Sequence, residues 1–148
     1  MGQQQLLLLV LSTVIVGLAT VTGIQAFDEN QAQASQDALI QKATSIATDV
    51  KALHSKPTQL GGITVDNNAD PAKIAKRIGL KSAAVNVPGA GDGATLTLTT
   101  GSNGLKITSS GSDAAQPVTV TFDPSANDGS QISTSLGTTT GSGGNSGT

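Results

Sequence analysis

The chain contains no cysteine, no tryptophan and no tyrosine, and its aromatic residues are Phe27 and Phe122. Without cysteine there is no disulfide framework, no thiolate metal site and no thiol nucleophile. His54 is its one histidine, so no second imidazole can join it in a metal set. Ligand pockets ordinarily use aromatic walls and a few convergent titratable groups. This composition offers neither in quantity, so no enzyme, cofactor or metal centre is expected. Charge is also scarce. Lys and Arg number 8 and Asp and Glu 10 in 148 residues, a net charge of -2. That excludes a broad basic surface for nucleic acid. The first basic residue is Lys42 and the first proline is Pro57. What is abundant is glycine (18), serine (15) and threonine (19).

The apolar residues are concentrated at one end. Leu6 to Ile24, LLLLVLSTVIVGLATVTGI, holds no charge and no amide side chain over 19 residues. As helix this is roughly 28 Å at about 1.5 Å per residue, close to the roughly 30 Å hydrocarbon core of a bilayer. A secretory signal would begin with Lys or Arg and have a shorter apolar run. Here the leader is MGQQQ, and the small-x-small site Ala32-Gln33-Ala34 lies ten residues past the apolar run. The run reads as a helix that stays with the protein. Asp28 and Glu29 follow it and only the α-amine precedes it, a weak bias towards N-terminus inside and bulk outside.

Beyond Ile24 the composition still favours helix. Leu39, Ala43, Ile46, Val50 and Leu53 fall at i, i+4, i+7, i+11 and i+14, one helical face. Lys51, His54 and Lys56 suit the negative end of the helix dipole, and Pro57 ends it. The sequence predicts one continuous helix from about Gln3 to His54, apolar all round in its first half and striped in its second. Gly17 and Gly23 read as packing notches within it, and His54 as a cap or surface residue.

After Pro57 the texture becomes β-rich. Ile63 to Val65 reads as a short strand. Asp70-Pro71 is an N-cap followed by Pro at the first helical position, with Ala72 to Ile78 helical and Gly79 closing it. Strand-like runs follow at Ser82 to Val87, Ala94 to Thr100, Leu105 to Ser109, Val118 to Phe122 and Gln131 to Leu136. Asn103-Gly104 marks a hairpin. Short sequential strands predict an antiparallel sheet with one apolar face, made of Leu96, Leu98, Leu105, Ile107, Val118, Val120 and Phe122. The stripe Leu39, Ile46, Val50 and Leu53 is its expected cover. The fold class is therefore α+β: a long N-terminal helix packed by its second half under a small antiparallel sheet. Its parts are an apolar helix (1–26), an amphipathic continuation (27–56), a β-rich body (57–136) and a Gly/Ser/Thr-rich tail (137–148). The tail has linker composition, with Thr138, Thr139 and Thr140 its best strand candidates.

Motifs that would carry chemistry are incomplete. PGAGDG, with Gly89, Gly91 and Gly93, has no Lys-Ser/Thr after it and reads as a turn. Asp66, Asn68 and Asp70 have the one-three-five spacing of a calcium loop. Pro71 and Arg77, however, replace the required Gly and Glu. Asp123, Ser125 and Asn127 repeat the spacing with Asp128 and Thr134 at those places. Both sets read as turns.

An all-apolar N-terminal helix running on as an amphipathic helix under an antiparallel sheet resembles the plan of type IV pilins. Met1-Gly2 followed by Gln3 is similar to a minimal class III leader, cut by a prepilin peptidase after the Gly, as in archaeal-type pilins. The resemblance covers about residues 1 to 56 in sequence and the remainder as architecture. It implies processing at Gly2 and Gln3 and a filament core of Leu6, Leu9, Val10, Val14, Gly17, Leu18 and Val21. It also implies copies of the same chain as partners, a membrane before assembly, and pilus assembly machinery. The fifth residue after such a cut, usually Glu in bacterial pilins, is Leu7. The Gln3-Gln4-Gln5 amides remain nearby to meet a neighbour's terminal amine. The Cys-paired loop of many pilins is absent. The expected function is a structural subunit of an extracellular, cell-surface filament. The rival readings are a single-pass anchored adhesin, a pseudopilin-type accessory of a secretion system, and a filamentous virus coat protein.

Overall fold

The computed structural model describes residues 2–111, 113–114 and 116–137. The expectations for Met1 and for the tail beyond Gly137 lie outside these residues. Helix α1 runs unbroken over Gly2–His54, 53 residues, a rod of roughly 80 Å. No proline interrupts it, and Gly17 and Gly23 stay helical despite a cost of about 1 kcal/mol each relative to Ala. Ser55 N–H donates to the Lys51 carbonyl at 3.0 Å, and the chain then leaves through Pro57 into a single 3-10 turn, Thr58–Leu60.

Ile63 to Val65 is not a strand. Its backbone is used by the end of α1 instead: Ile63 N–H donates to the Leu53 carbonyl at 3.2 Å, and His54 Nδ1 lies 3.1 Å from the Ile63 carbonyl. The helix end is the nearest source of partners along the chain, so the segment is tied down there before it meets a sheet edge. Helix α2, Pro71–Arg77, begins where expected, with the Asp70 carboxylate accepting from Ala72 N–H at 2.9 Å.

Five strands form one antiparallel sheet in chain order: β1 (Ala84–Asn86), β2 (Thr95–Gly101), β3 (Gly104–Ser110), β4 (Val118–Phe122) and β5 (Ile132–Leu136). β1 is shorter than the expected run, although Leu98 N–H still reaches the Ala83 carbonyl and Val87 N–H the Ala94 carbonyl. The β2–β3 turn sits one residue earlier than Asn103-Gly104 suggests. Gly101 pairs with Gly104, leaving Ser102 and Asn103 as the turn. Among the described residues no non-glycine has positive φ, whereas Gly104 has φ +116°. A mirror-image two-residue turn would ask positive φ of both Ser102 and Asn103; here the positive φ falls on Gly104 alone, just after them. A Cβ there would also collide with the Phe122 carbonyl oxygen. Gly104→Ala is expected to destabilise the body by about 2 kcal/mol or more, read as a lower denaturant midpoint.

Alternation sorts the sheet into two faces. Leu96, Leu98, Leu105, Ile107, Val118, Val120 and Phe122 are all buried on one. On the other, Thr97, Thr108, Thr119 and Ser135 stand side by side across four strands. Helix α1 covers β4 and the flanks of β3 and β5, and α2 covers β2. Leu39, Ala43, Ile46, Ala47 and Val50 are the buried face of α1. Leu53 departs from expectation: it is half-buried and outside the core cluster. The helix ends there, and the ring of His54 takes the last contact, edge-on to Phe122 with centroids 5.7 Å apart.

Candidate functional site: the projecting half of the long helix

Two halves of one helix have opposite surroundings. From Ser35 onward α1 has buried positions against the sheet. From Gly2 to Gln31 every residue is exposed. Gln31 Nε2 reaches Asp113 Oδ2 at 3.5 Å, so the helix before it, roughly 43 Å at about 1.5 Å per residue, projects from the body. From Leu6 to Ile24 its surface is apolar on all sides: Leu6, Leu9, Val10, Val14, Leu18 and Val21 are each more than half exposed. A methyl added at Gly17 or Gly23 would meet no atom of the body. A monomeric soluble protein rarely leaves so large a contiguous apolar surface uncovered. The helix is long and apolar enough to cross a membrane.

The threonine hydroxyls in this stretch are satisfied within the helix. Thr13 and Thr20 hydroxyls donate to the Val10 and Val16 carbonyls, both at 2.8 Å, and Thr22 reaches the Leu18 and Ala19 carbonyls at 3.1 and 3.0 Å. Such back-bonding leaves these donors satisfied without water. The segment can enter lipid, or a bundle of like helices, with no orphaned hydroxyl among those three. Charge begins only at Asp28 and Glu29. Phe27, 70% exposed, extends the apolar surface to the edge of that charged step. Sequence reasoning stopped the apolar segment at Ile24 and missed Phe27; its place three residues beyond Ile24 on the same helix was the available signal.

The body offers little competing chemistry. A polar cleft of about 400 Å³ lies between α2 and the loop before it, lined by Thr58, Ile63, Asn68, Lys73 and Arg77 among others. Arg77 Nη1 is already bonded to the Gly61 carbonyl at 2.8 Å. Among the described residues no group of three or more His, Cys, Asp or Glu could hold a metal ion. The aspartates with calcium-like spacing act in turns: Asp66 accepts from Asn68 N–H at 3.1 Å and Asp123 from Ser125 N–H at 2.8 Å.

No family model, no curated protein and no solved structure matches this chain. Its architecture, a long apolar helix that continues under a small antiparallel sheet, is compatible with a pilin-like fold.

Proposed function

We propose that this chain is the structural subunit of an extracellular pilus-like filament. One observation carries the reading: an unbroken helix anchored to its body by one half presents, in its other half, an exposed apolar stretch from Leu6 to Phe27. The mechanism is an exchange of apolar surroundings. The helix first rests in the membrane, and assembly machinery then moves it into a bundle of identical helices. An uncharged surface whose threonine hydroxyls are bonded within the helix loses little in that transfer. The β-rich bodies, with their hydroxyl-covered outer faces, form the sheath. The candidate processing point after Gly2 would leave Gln3 as the new N-terminus.

The same length and apolarity suit a monomer held by a single membrane span, as in an anchored adhesin or pseudopilin. Mechanical shearing of cells separates the two. The filament reading expects the chain to be the main band of sheared material, visible as filaments by electron microscopy, with sequencing starting at Gln3. A chain recovered only as a detergent-soluble membrane monomer would establish the anchored reading instead.

A further inference from the structure

The two edges of the sheet are not alike. β1 is three residues long and ends two residues before Pro88, a blunted edge. β5, at the other side, is an uncharged five-residue strand, ISTSL, with no proline. Its register and flanking hydrogen bonds say which way its backbone groups point. Asp123 N–H donates to the Gln131 carbonyl, and Gly137 N–H to the Pro117 carbonyl. By the alternation of an antiparallel ladder, Ser133 and Ser135 bond inward to β4. Ile132, Thr134 and Leu136 therefore direct their N–H and C=O groups outward, and no described strand pairs with them. The Leu136 side chain is also 50% exposed. A bare edge with an exposed leucine at its end is a template for another strand.

The chain's own continuation is badly placed to fill it. Gly137 lies opposite Pro117, so pairing with the outer edge of β5 in the same chain would need a reversal directly after Gly137, with Thr138 to Thr140 used in the turn and not in a strand. These β-branched residues suit a pleated edge. A direct pairing of β5 with β5 of a second copy is two-fold symmetric and closes on itself, whereas a polar filament needs a heterologous contact. We propose that the Thr138 to Thr140 segment of one copy adds as a strand to the outer edge of β5 in the next, a β-augmentation clasp between subunits. This rests on the filament reading.

The test is residue-resolved amide exchange on filaments and on detergent-dispersed subunits. In filaments, the Ile132, Thr134 and Leu136 amides are expected to exchange about tenfold more slowly, or slower still, than in dispersed subunits. Filaments of a chain lacking residues 138–148 should lose that protection and dissociate at lower temperature. Thr134→Pro removes only an outward N–H, so it should leave the dispersed subunit folded while weakening filaments as much as the deletion. Combining the two changes should weaken them no further. Unprotected edge amides in parent filaments would overturn the clasp, and so would protection that survives the deletion. If the parent forms no filaments, the filament reading itself fails. Binding of a synthetic 137–148 peptide to the tail-deleted chain in detergent, blocked by Thr134→Pro and not by Asn86→Pro at the opposite edge, then decides the strand addition alone. Absence of that binding would overturn it.

Discussion

Replacing Val14 by Asp should abolish filaments while leaving the folded body intact. Val14 lies in the middle of the apolar run and is 52% exposed in the single chain, with the body far along the helix. Nothing within the subunit depends on it. In a bundle of like helices its neighbours would be leucines, valines and isoleucines, and the run contains no cation to pair with a carboxylate. Burying that charge unpaired costs several kcal/mol in each subunit, and the cost repeats along the filament. Subunits should accumulate in membranes or be lost before assembly. The variant's thermal transition in detergent should match the parent's, which separates failed assembly from failed folding. Filaments of normal yield from Val14→Asp would remove the apolar run from the core.

The second large effect falls on the other half of the molecule. Phe122 is 1% exposed and is the largest side chain in the core. It pairs across the sheet with Leu105 and Ile132 and meets the His54 ring at the end of α1. Phe122→Ala removes that volume from a core with no other buried aromatic among the described residues. Such truncations cost about 3–5 kcal/mol, against a total stability of about 5–15 kcal/mol for a typical domain. The melting temperature of the body should fall by more than about 12 °C. Phe27→Ala is the internal control. That ring is 70% exposed on the projecting helix, and its removal should leave the body's transition unchanged. Equal melting of both variants would mean that α1 and the sheet do not share the core described above.

The long helix was legible in the sequence from two signals, one along its whole length and one in its second half. Proline is absent before Pro57, and the spacing Leu39, Ala43, Ile46, Val50 repeats at helical intervals. The sheet was legible from strict alternation in ATLTLTT and VTVTF, and all seven residues assigned to its apolar face are buried. The second layer of cover was not legible as such. α2 reads locally as two turns with a good cap, and nothing local says that Ile74 and Ala75 are buried against β2. Simple widths point that way. Strands spaced about 4.8 Å apart make five of them wider than one helix of about 10 Å, so α1 alone cannot roof the sheet. Ile63 to Val65 misled because β-branched composition reports a preference for extended backbone, not a partner. Its partners are Leu53 and His54. Leu53 kept the helical interval but fell at the point where the helix ends, and an interval carries no information about where the opposing layer stops. The projecting surface was visible as Leu6 to Ile24, short of Phe27.

The absence of cysteine allows a direct measurement of where the projecting helix sits. Val10→Cys and Ser102→Cys each introduce a single thiol, one on the apolar half of α1 and one in the β2–β3 turn. Filaments sheared from cells and washed free of membrane are treated with a water-soluble maleimide, before and after dissociation in denaturant. If the apolar half of the helix is bundled with its copies, the thiol at position 10 stays unlabelled in intact filaments and reacts on dissociation. The thiol at position 102 reacts in both. Labelling of position 10 in intact filaments at the rate of position 102 would contradict the filament core, as would recovery of the whole chain in the membrane fraction with none in the sheared material.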